Sequence, residues 1–339
     1  MTFLVQDLET ICPIIHRTSG RAHGVITRLV SPLDVGELIK PFVFLDLLDT
    51  SGREFSGFGL HPHSGIATLT YIAEGSVSYE DTNGAYGLLA AGSVEWMRAG
   101  QGVWHGGGAG ESGLTRGFQV WVALPPQLEL GPSVSIYQDA EDVRVAGPAR
   151  VLLGAYEGAS SAIRAPSEIN YLALRLAPGE RWQYQPPTGH DVLWIAVGKG
   201  VVRAPDPVRR GELAIFAPGQ GAVDFVAEAE AEAEFMLGSA VPHPYELVTG
   251  YYSVHTDAGA LAKGEQRIRE IREKLVRAGR QSAVKSAFSP LTASIMAPKV
   301  HLCPRGRHRQ PRLTLGAPDI GPLPWKLNDS EVRHAHARK

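Results

Sequence analysis

Cysteine is nearly absent: Cys12 and Cys303 are the two in 339 residues, far apart in the chain. They support neither a disulfide framework nor a cysteine-based metal site. Long apolar runs are also missing, none approaching the roughly 20 residues that a membrane helix needs. The first twenty residues show no positive start leading into an apolar core, so no secretory signal is expected. Motifs of the GxSxG and phosphate-loop types do not occur. These absences predict a cytoplasmic protein without a membrane anchor.

Net basic charge is missing from most of the chain. The overall balance is −2, but residues 281–339 hold ten Lys or Arg against three Asp or Glu. The preceding 280 residues are therefore acidic, which argues against direct nucleic-acid binding by the folded body.

Strand and turn signals dominate what is present. A hydrophobic share of 44%, with 38 Gly and 24 Pro, suits short strands joined by tight turns. GVITRLV, ATLTYIAE, SVEWM, GFQVWVAL, NYLALRL, VLWIAVG, ELAIFA and EAEFMLG are such segments, bounded by Gly, Pro, Asn and Asp. Residues 227–234 alternate as a strand with an acidic face. The pattern predicts an all-β chain of antiparallel sandwich or barrel type.

A weak repeat divides this region. LTYIAEGSVSYED from Leu69 resembles LWIAVGKGVVRAP from Leu193, and GSVEWMRAGQG from Gly92 resembles GELAIFAPGQG from Gly211. Aligned at Ile72 with Ile195 and at Gly92 with Gly211, the two pairs are offset by 123 and 119 residues, which predicts two tandem barrels at 1–135 and 136–255. Leu261, Ile268, Ile271 and Leu275 then share one face of a helix expected at 256–279, with Thr256 as its start signal. Glu265 with Arg269, and Glu270 with Lys274, have the spacing of supporting ion pairs. Residues 280–339 read as a basic, disordered tail, where the one-apart pair His334 and His336 carries little meaning.

The chemistry concentrates in HPHSGIATLTYIAEG, 61–75, and GSVEWMRAGQGVWH, 92–105. Residues i and i+2 of a strand face the same way, so His61 and His63 can converge on one point. Pro62 places them at a strand start or edge, which is also the plain alternative to a ligand role. His105 follows a glycine-rich turn. If these segments are neighbours, three neutral imidazoles meet, a set that suits iron, copper, zinc or nickel and leaves positions open.

Both segments resemble the two cupin motifs as they occur in the pirin family. FVFLDLLD at 42–49 and RGFQVWVALPP at 116–126 are similar to pirin segments as well, and the likeness spans about 20–275. It implies a bicupin: two jelly-roll β-barrels in one chain, with one divalent metal in the N-terminal barrel. Fe(II) is the expected metal, with Cu, Ni, Mn, Co or Zn as alternatives. His61, His63 and His105 match three of the four ligand positions. Many pirins carry a glutamate two residues after the third histidine, where this chain has Gly107. Glu111, Gln119 or a water is left to complete the sphere, and Glu111 and Gln119 are the candidate catalytic residues.

Carrying the repeat offsets forward, Tyr184, Pro186 and Asp224 stand where the histidines would be, and His190 is the nearest substitute. The second barrel thus reads as a cover without metal ligands. Trp96, Trp104 and Trp121 are core or pocket wall, Trp104 being the one expected to touch an aromatic ligand, while Glu74 and Glu80 read as solvated. The resemblance implies a flavonol substrate oxidised by dioxygen, as in quercetin 2,3-dioxygenases. Its alternative is a metal-dependent regulatory protein with a protein partner, either a transcriptional coregulator or a partner of a metabolic enzyme. A storage or sugar-isomerising cupin is a third reading.

Overall fold

A computed structural model describes residues 12–110, 113–219 and 221–280. The fold is two jelly-roll halves built from large and small antiparallel sheets, followed by one helix. The large sheet of the first half has the strand order Val134–Gln138, Val94–Arg98, Ile66–Glu74, Arg116–Ala123, Phe42–Asp49, Ile26–Val30, Arg21–His23. That of the second half repeats it with Ile14–Thr18, Leu213–Phe216, Val192–Lys199, Ala233–Ala240, Ile169–Leu176, Ala149–Leu153, Val145–Ala146. The small sheets match too. Phe58–His63, Val103–Gly107, Ser76–Asp81 and Tyr86–Ala90 correspond to Arg181–Tyr184, Val223–Ala227, Val201–Arg203 and Pro207–Arg209. Each half is two facing sheets, the jelly-roll form of barrel expected from sequence, without full closure.

One apolar cluster joins the halves. Leu45, Leu69, Trp96, Phe118 and Val120 of the first large sheet pack with Tyr171, Trp194, Ile215 and Met236 of the second. Central strands such as FVFLDLLD and VLWIAVGK are therefore covered on both faces, which explains their near-continuous apolar runs. A second cluster, including Leu172, Trp182, Tyr184, Ile195, Phe225 and Leu237, fills the interior of the second half.

The boundary expected at 135/136 is crossed in both directions. Ile14–Thr18, expected in the first barrel, pairs with Leu213–Phe216. It occupies the edge that Val134–Gln138 takes in the first half. Residues 248–255, expected to close the second barrel, return instead to the first, where Ser64 and Ser253 form an isolated bridge.

The helix spans Ala258–Arg277. Its N-cap is Asp257, whose carboxylate accepts from the amides of Gly259 and Ala260. The expected start signal, Thr256, instead donates through its hydroxyl and amide to Glu129, at 2.7 and 2.8 Å. Ile268 and Leu275 are buried as the periodicity predicts. The expected pairs Glu265–Arg269 and Glu270–Lys274 are not among the ion pairs of the described residues; Arg267 reaches Glu270 instead. Among the described residues no helix is long and apolar enough to cross a membrane. Of the tail expected at 280–339, residues 281–339 lie outside the described residues.

Candidate metal centre

His61 and His63 end one strand of the first small sheet, and His105 lies on its neighbour, directly opposite His61. The three side chains turn to one point, with candidate ligand atoms within 4.8 Å of one another. Ring centroids lie 4.5 Å apart for His61 and His105, 5.0 Å for His61 and His63, and 5.1 Å for His63 and His105.

Each ring has its Nδ1 engaged. His61 Nδ1 lies 2.9 Å from the Gly59 carbonyl, His63 Nδ1 3.2 Å from the Tyr252 carbonyl, and His105 Nδ1 3.1 Å from Glu95 Oε1. All three partners are acceptors, so each Nδ1 carries the proton and each Nε2 presents a lone pair. Nε2 of both His63 and His105 is buried without a hydrogen-bond partner. Orphaned, converging acceptors of this kind cost free energy unless something positive meets them. Burial, followed by the like charges of its histidine neighbours, drives the His63 imidazole well below its ordinary range. The same causes lower His61 to about 3. His61 and His63 are thus neutral, as metal ligation requires. The residues present fit a divalent ion held by three imidazoles.

Surrounding groups fix the triad. Trp121 stacks on Phe44 at 3.9 Å and meets the His63 ring edge-on at 4.8 Å, forming a wall. Ser64, next to His63, bonds Ser253 at 2.8 Å and His255 Nε2 at 3.0 Å. His255 in turn meets Glu129 at 3.2 Å. The helix closes over this network at Gly264, where an added Cβ would come within 2.4 Å of Ser64 Oγ. The ligand strand is thereby clasped to the C-terminal segment, which also supplies the Tyr252 carbonyl.

Facing the triad, a polar row crosses the large sheet. Arg28, Asp46, Gln119, Thr70 and Glu95 stand directly opposite one another on five successive strands. Arg28 grips Asp46 through two hydrogen bonds of 2.5 and 3.0 Å and lies 3.9 Å from the centre of the Phe44 ring. Gln119 Nε2 donates to Thr70 Oγ1 at 3.1 Å, and that hydroxyl donates to Glu95 Oε2 at 2.7 Å. Burial raises the Asp46 carboxyl, against the pull of Arg28. Burial pushes Glu95 the same way, but His105 and the Thr70 hydroxyl together hold its carboxyl below the usual range. A cleft of about 80 Å³ lies over this row, lined by His61, Thr70, Gln119, Asp46, Arg28 and Phe58 among others.

The structure brings together His61, His63 and His105. Gln119 is placed in the row, its amide nitrogen on Thr70 and its carbonyl oxygen 3.4 Å from Trp121 Nε1. Glu111 lies outside the described residues. At Gly107 an added Cβ would come within 2.4 Å of the Ser78 carbonyl oxygen, so the strand beside it leaves no room for a side chain. Trp104, expected against an aromatic ligand, points the other way. Its indole donates to the Ile268 carbonyl at 2.9 Å and packs with Leu60 and Leu275 under the helix. Glu74 and Glu80, expected to be solvated, pair with Arg116 and Arg280 while remaining partly exposed.

In the second half, Asp224 faces outward to Arg181, and His190 Nδ1 bonds Ser239 Oγ at 2.8 Å. Asp224 is displaced from the expected correspondence because the turn before it is longer than its counterpart. By pairing register, Phe225 opposite Trp182 is the counterpart of His105 opposite His61.

Glu95, Asp46, Arg28, Thr70 and the Tyr252 carbonyl were missed in the sequence. The signal for two of them was there: Asp46 and Glu95 are single charges inside the apolar runs FVFLDLLD and SVEWM.

A family model described as "Pirin" matches residues 25–122. A Pseudomonas aeruginosa protein named "Putative quercetin 2,3-dioxygenase" is 34% identical over 210 residues, covering 57% of this chain and 72% of that protein. A "Pirin-like protein" of Caulobacter vibrioides is 32% identical over 197 residues, covering 55% and 70%. Among solved structures, a quercetin 2,3-dioxygenase from Acinetobacter baumannii superposes with a TM-score of 0.65 at 24% identity, covering 80% of this chain and 98% of that one. The bacterial pirin YhhW of Escherichia coli in complex with nickel(II) gives 0.51 at 21%, covering 66% and 95%. At these identities the structures speak for the fold.

Proposed function

The chain belongs to the pirin family, and from that premise we propose that it is a metal-dependent dioxygenase of the quercetin 2,3-dioxygenase type. The observation that carries the reading is the convergence of three imidazoles, two of them buried with orphaned Nε2 atoms, beside a cleft. His61, His63 and His105 would hold the metal, Fe(II) first, with the nickel complex of a pirin neighbour supporting a site tolerant of other divalent ions. The names of several relatives support a flavonol substrate. Dioxygen is the oxidant: the flavonol ring opens, both oxygen atoms enter the products, and the hydroxyl-bearing carbon leaves as carbon monoxide.

When bound, the metal supplies Lewis acidity and lowers the pKa of a hydroxyl placed on it. The chain's own residues do the rest. Asp46 is the carboxylate in the cleft wall, raised by burial and so a better proton acceptor than an exposed one. Arg28 holds it in place. Gln119 and Thr70 offer polar contacts to a ligand, while Phe44, Phe58 and Ile72 line the cleft with apolar surface. The compartment in this reading is the cytoplasm, and no contact with nucleic acid is invoked.

The test is aerobic incubation of iron-loaded protein with quercetin, following both flavonol absorbance and carbon monoxide release. Both should change in the wild type and neither in His61→Ala. Equal decay in that variant would refute the reading.

One observation favours a second reading. At about 80 Å³ the cleft is smaller than the roughly 300–1,000 Å³ of sites that enclose drug-sized ligands. A flavonol therefore enters only if lining side chains such as the exposed Phe58 move aside. A metal-dependent regulatory protein acting on a protein partner needs no such opening. Metal uptake with quercetin untouched would select it.

A further inference from the structure

We infer that Glu95 supplies, through His105, the negative charge that a ligand at position 107 would otherwise bring to the metal, making Glu95 a positioning and charge-tuning residue. The inference rests on the reading of His61, His63 and His105 as ligands. Three neutral imidazoles leave a divalent cation uncompensated in a buried place, and burying unpaired charge is costly. The natural remedy at Gly107 is closed, because a side chain there runs into the Ser78 carbonyl oxygen.

Other buried carboxylates near the triad are already committed. Asp81 accepts from the amides of Asn83 and Ala85 and from the Tyr137 hydroxyl, and Asp46 is clamped by Arg28. Glu95 differs: Oε1 lies 3.1 Å from His105 Nδ1, both side chains are almost fully buried, and no guanidinium or ammonium neutralises it in the ion pairs described. Its second oxygen is pinned by Thr70, and Thr70 by Gln119, so the carboxylate is aimed at the ring by a hydrogen-bonded chain that starts at the cleft. A carboxylate on the far nitrogen of a ligating histidine orients the ring and raises its basicity, and such partners change metal affinity about 10–100-fold.

The experiment separates charge from shape. Glu95→Gln keeps an oxygen to accept from Nδ1–H and removes only the charge, while Thr70→Val frees the carboxylate without discharging it. Ni²⁺ affinity is measured by chelator competition on tag-free protein, alongside the thermal midpoint without metal. Glu95→Gln should bind Ni²⁺ about 10–100-fold more weakly than wild type. Thr70→Val should shift in the same direction by less. A purely structural Glu95 would move the midpoint and leave affinity within about twofold, which would overturn the inference while leaving the triad intact. If wild type itself takes up no Ni²⁺, the ligand reading falls and this inference with it.

Discussion

Two rows of five residues, one in each half of the molecule, share a position in the fold and nothing else. Across the first large sheet the row reads Arg28, Asp46, Gln119, Thr70, Glu95. Across the second, in the same strand order, it reads Val151, Leu172, Leu237, Ile195, Ala214. The small sheets differ in step: His61, His63 and His105 in the first half stand where Trp182, Tyr184 and Phe225 stand in the second. There the Trp182 ring lies 5.8 Å from that of Tyr184 and 5.6 Å from that of Phe225, centroid to centroid. One architecture thus carries two interiors. The second is filled largely by aromatic and aliphatic side chains, and the first gives up apolar contact to hold imidazoles, a buried ion pair and a hydrogen-bonded chain. A fold of two facing sheets tolerates either, provided each buried polar group finds a partner.

The strongest way to break this comparison is to ask which trio supports the fold. Trp182→Ala should destabilise the protein by about 3–5 kcal/mol, the usual cost of emptying a large aromatic site. His61→Ala in metal-free protein should cost no more than about 1 kcal/mol, since it removes one hydrogen bond and one buried imidazole. Denaturant unfolding reads both, and equal losses would erase the distinction.

Next in size is the proton step. Asp46→Asn should reduce flavonol turnover by about 10²-fold or more with metal content unchanged. Unaltered turnover would remove Asp46 from the chemistry.

Crossed substitutions in the rows sharpen the comparison further. Thr70→Val strands Glu95 and Gln119 without their shared hydroxyl and should cost about 1–3 kcal/mol. Ile195→Thr puts a hydroxyl into the apolar row with nothing to bond and should cost a similar amount, about 1–3 kcal/mol. If both shift stability by less than about 0.5 kcal/mol, the ordinary range for neutral surface changes, the rows are interchangeable.

The smallest effect concerns acid. Burial and then the nearby charge of Lys40 lower His243 to about 4, whereas the unfolded chain titrates near 6.5. As pH falls through that window the unfolded state takes up the proton first, so stability is full above about 6.5 and declines towards pH 4. His243→Gln should flatten the decline, measured by urea midpoints across that range.

Much of this was legible in the sequence. Strand runs, turn residues and the repeat announced two β halves, and the HxH pattern with His105 announced the triad. The offset of 119 between Gly92 and Gly211 holds in the register, since it equates Glu95 with Ala214. The offset of 123 does not: pairing sets Thr70, not Ile72, against Ile195. A slip of two leaves every side chain on its own face, so the pattern could not betray it. Cross-strand neighbours were not legible. Glu95 and His105 are ten residues apart along the chain, but Asp46, Gln119 and Thr70 meet only through strand order, which no local period encodes. The exchange of Ile14–Thr18 and 248–255 between halves was hidden for the same reason.

The central claim is that the first interior is built around a metal and that the three histidines hold it. Elemental analysis of tag-free protein, wild type beside His105→Ala, tests it most directly. About one iron, nickel or copper per chain in the wild type, lost in the variant, is the expected result, because removing one of three imidazoles leaves too few ligands. Metal retained by the variant, or none in either protein after loading, would contradict the claim.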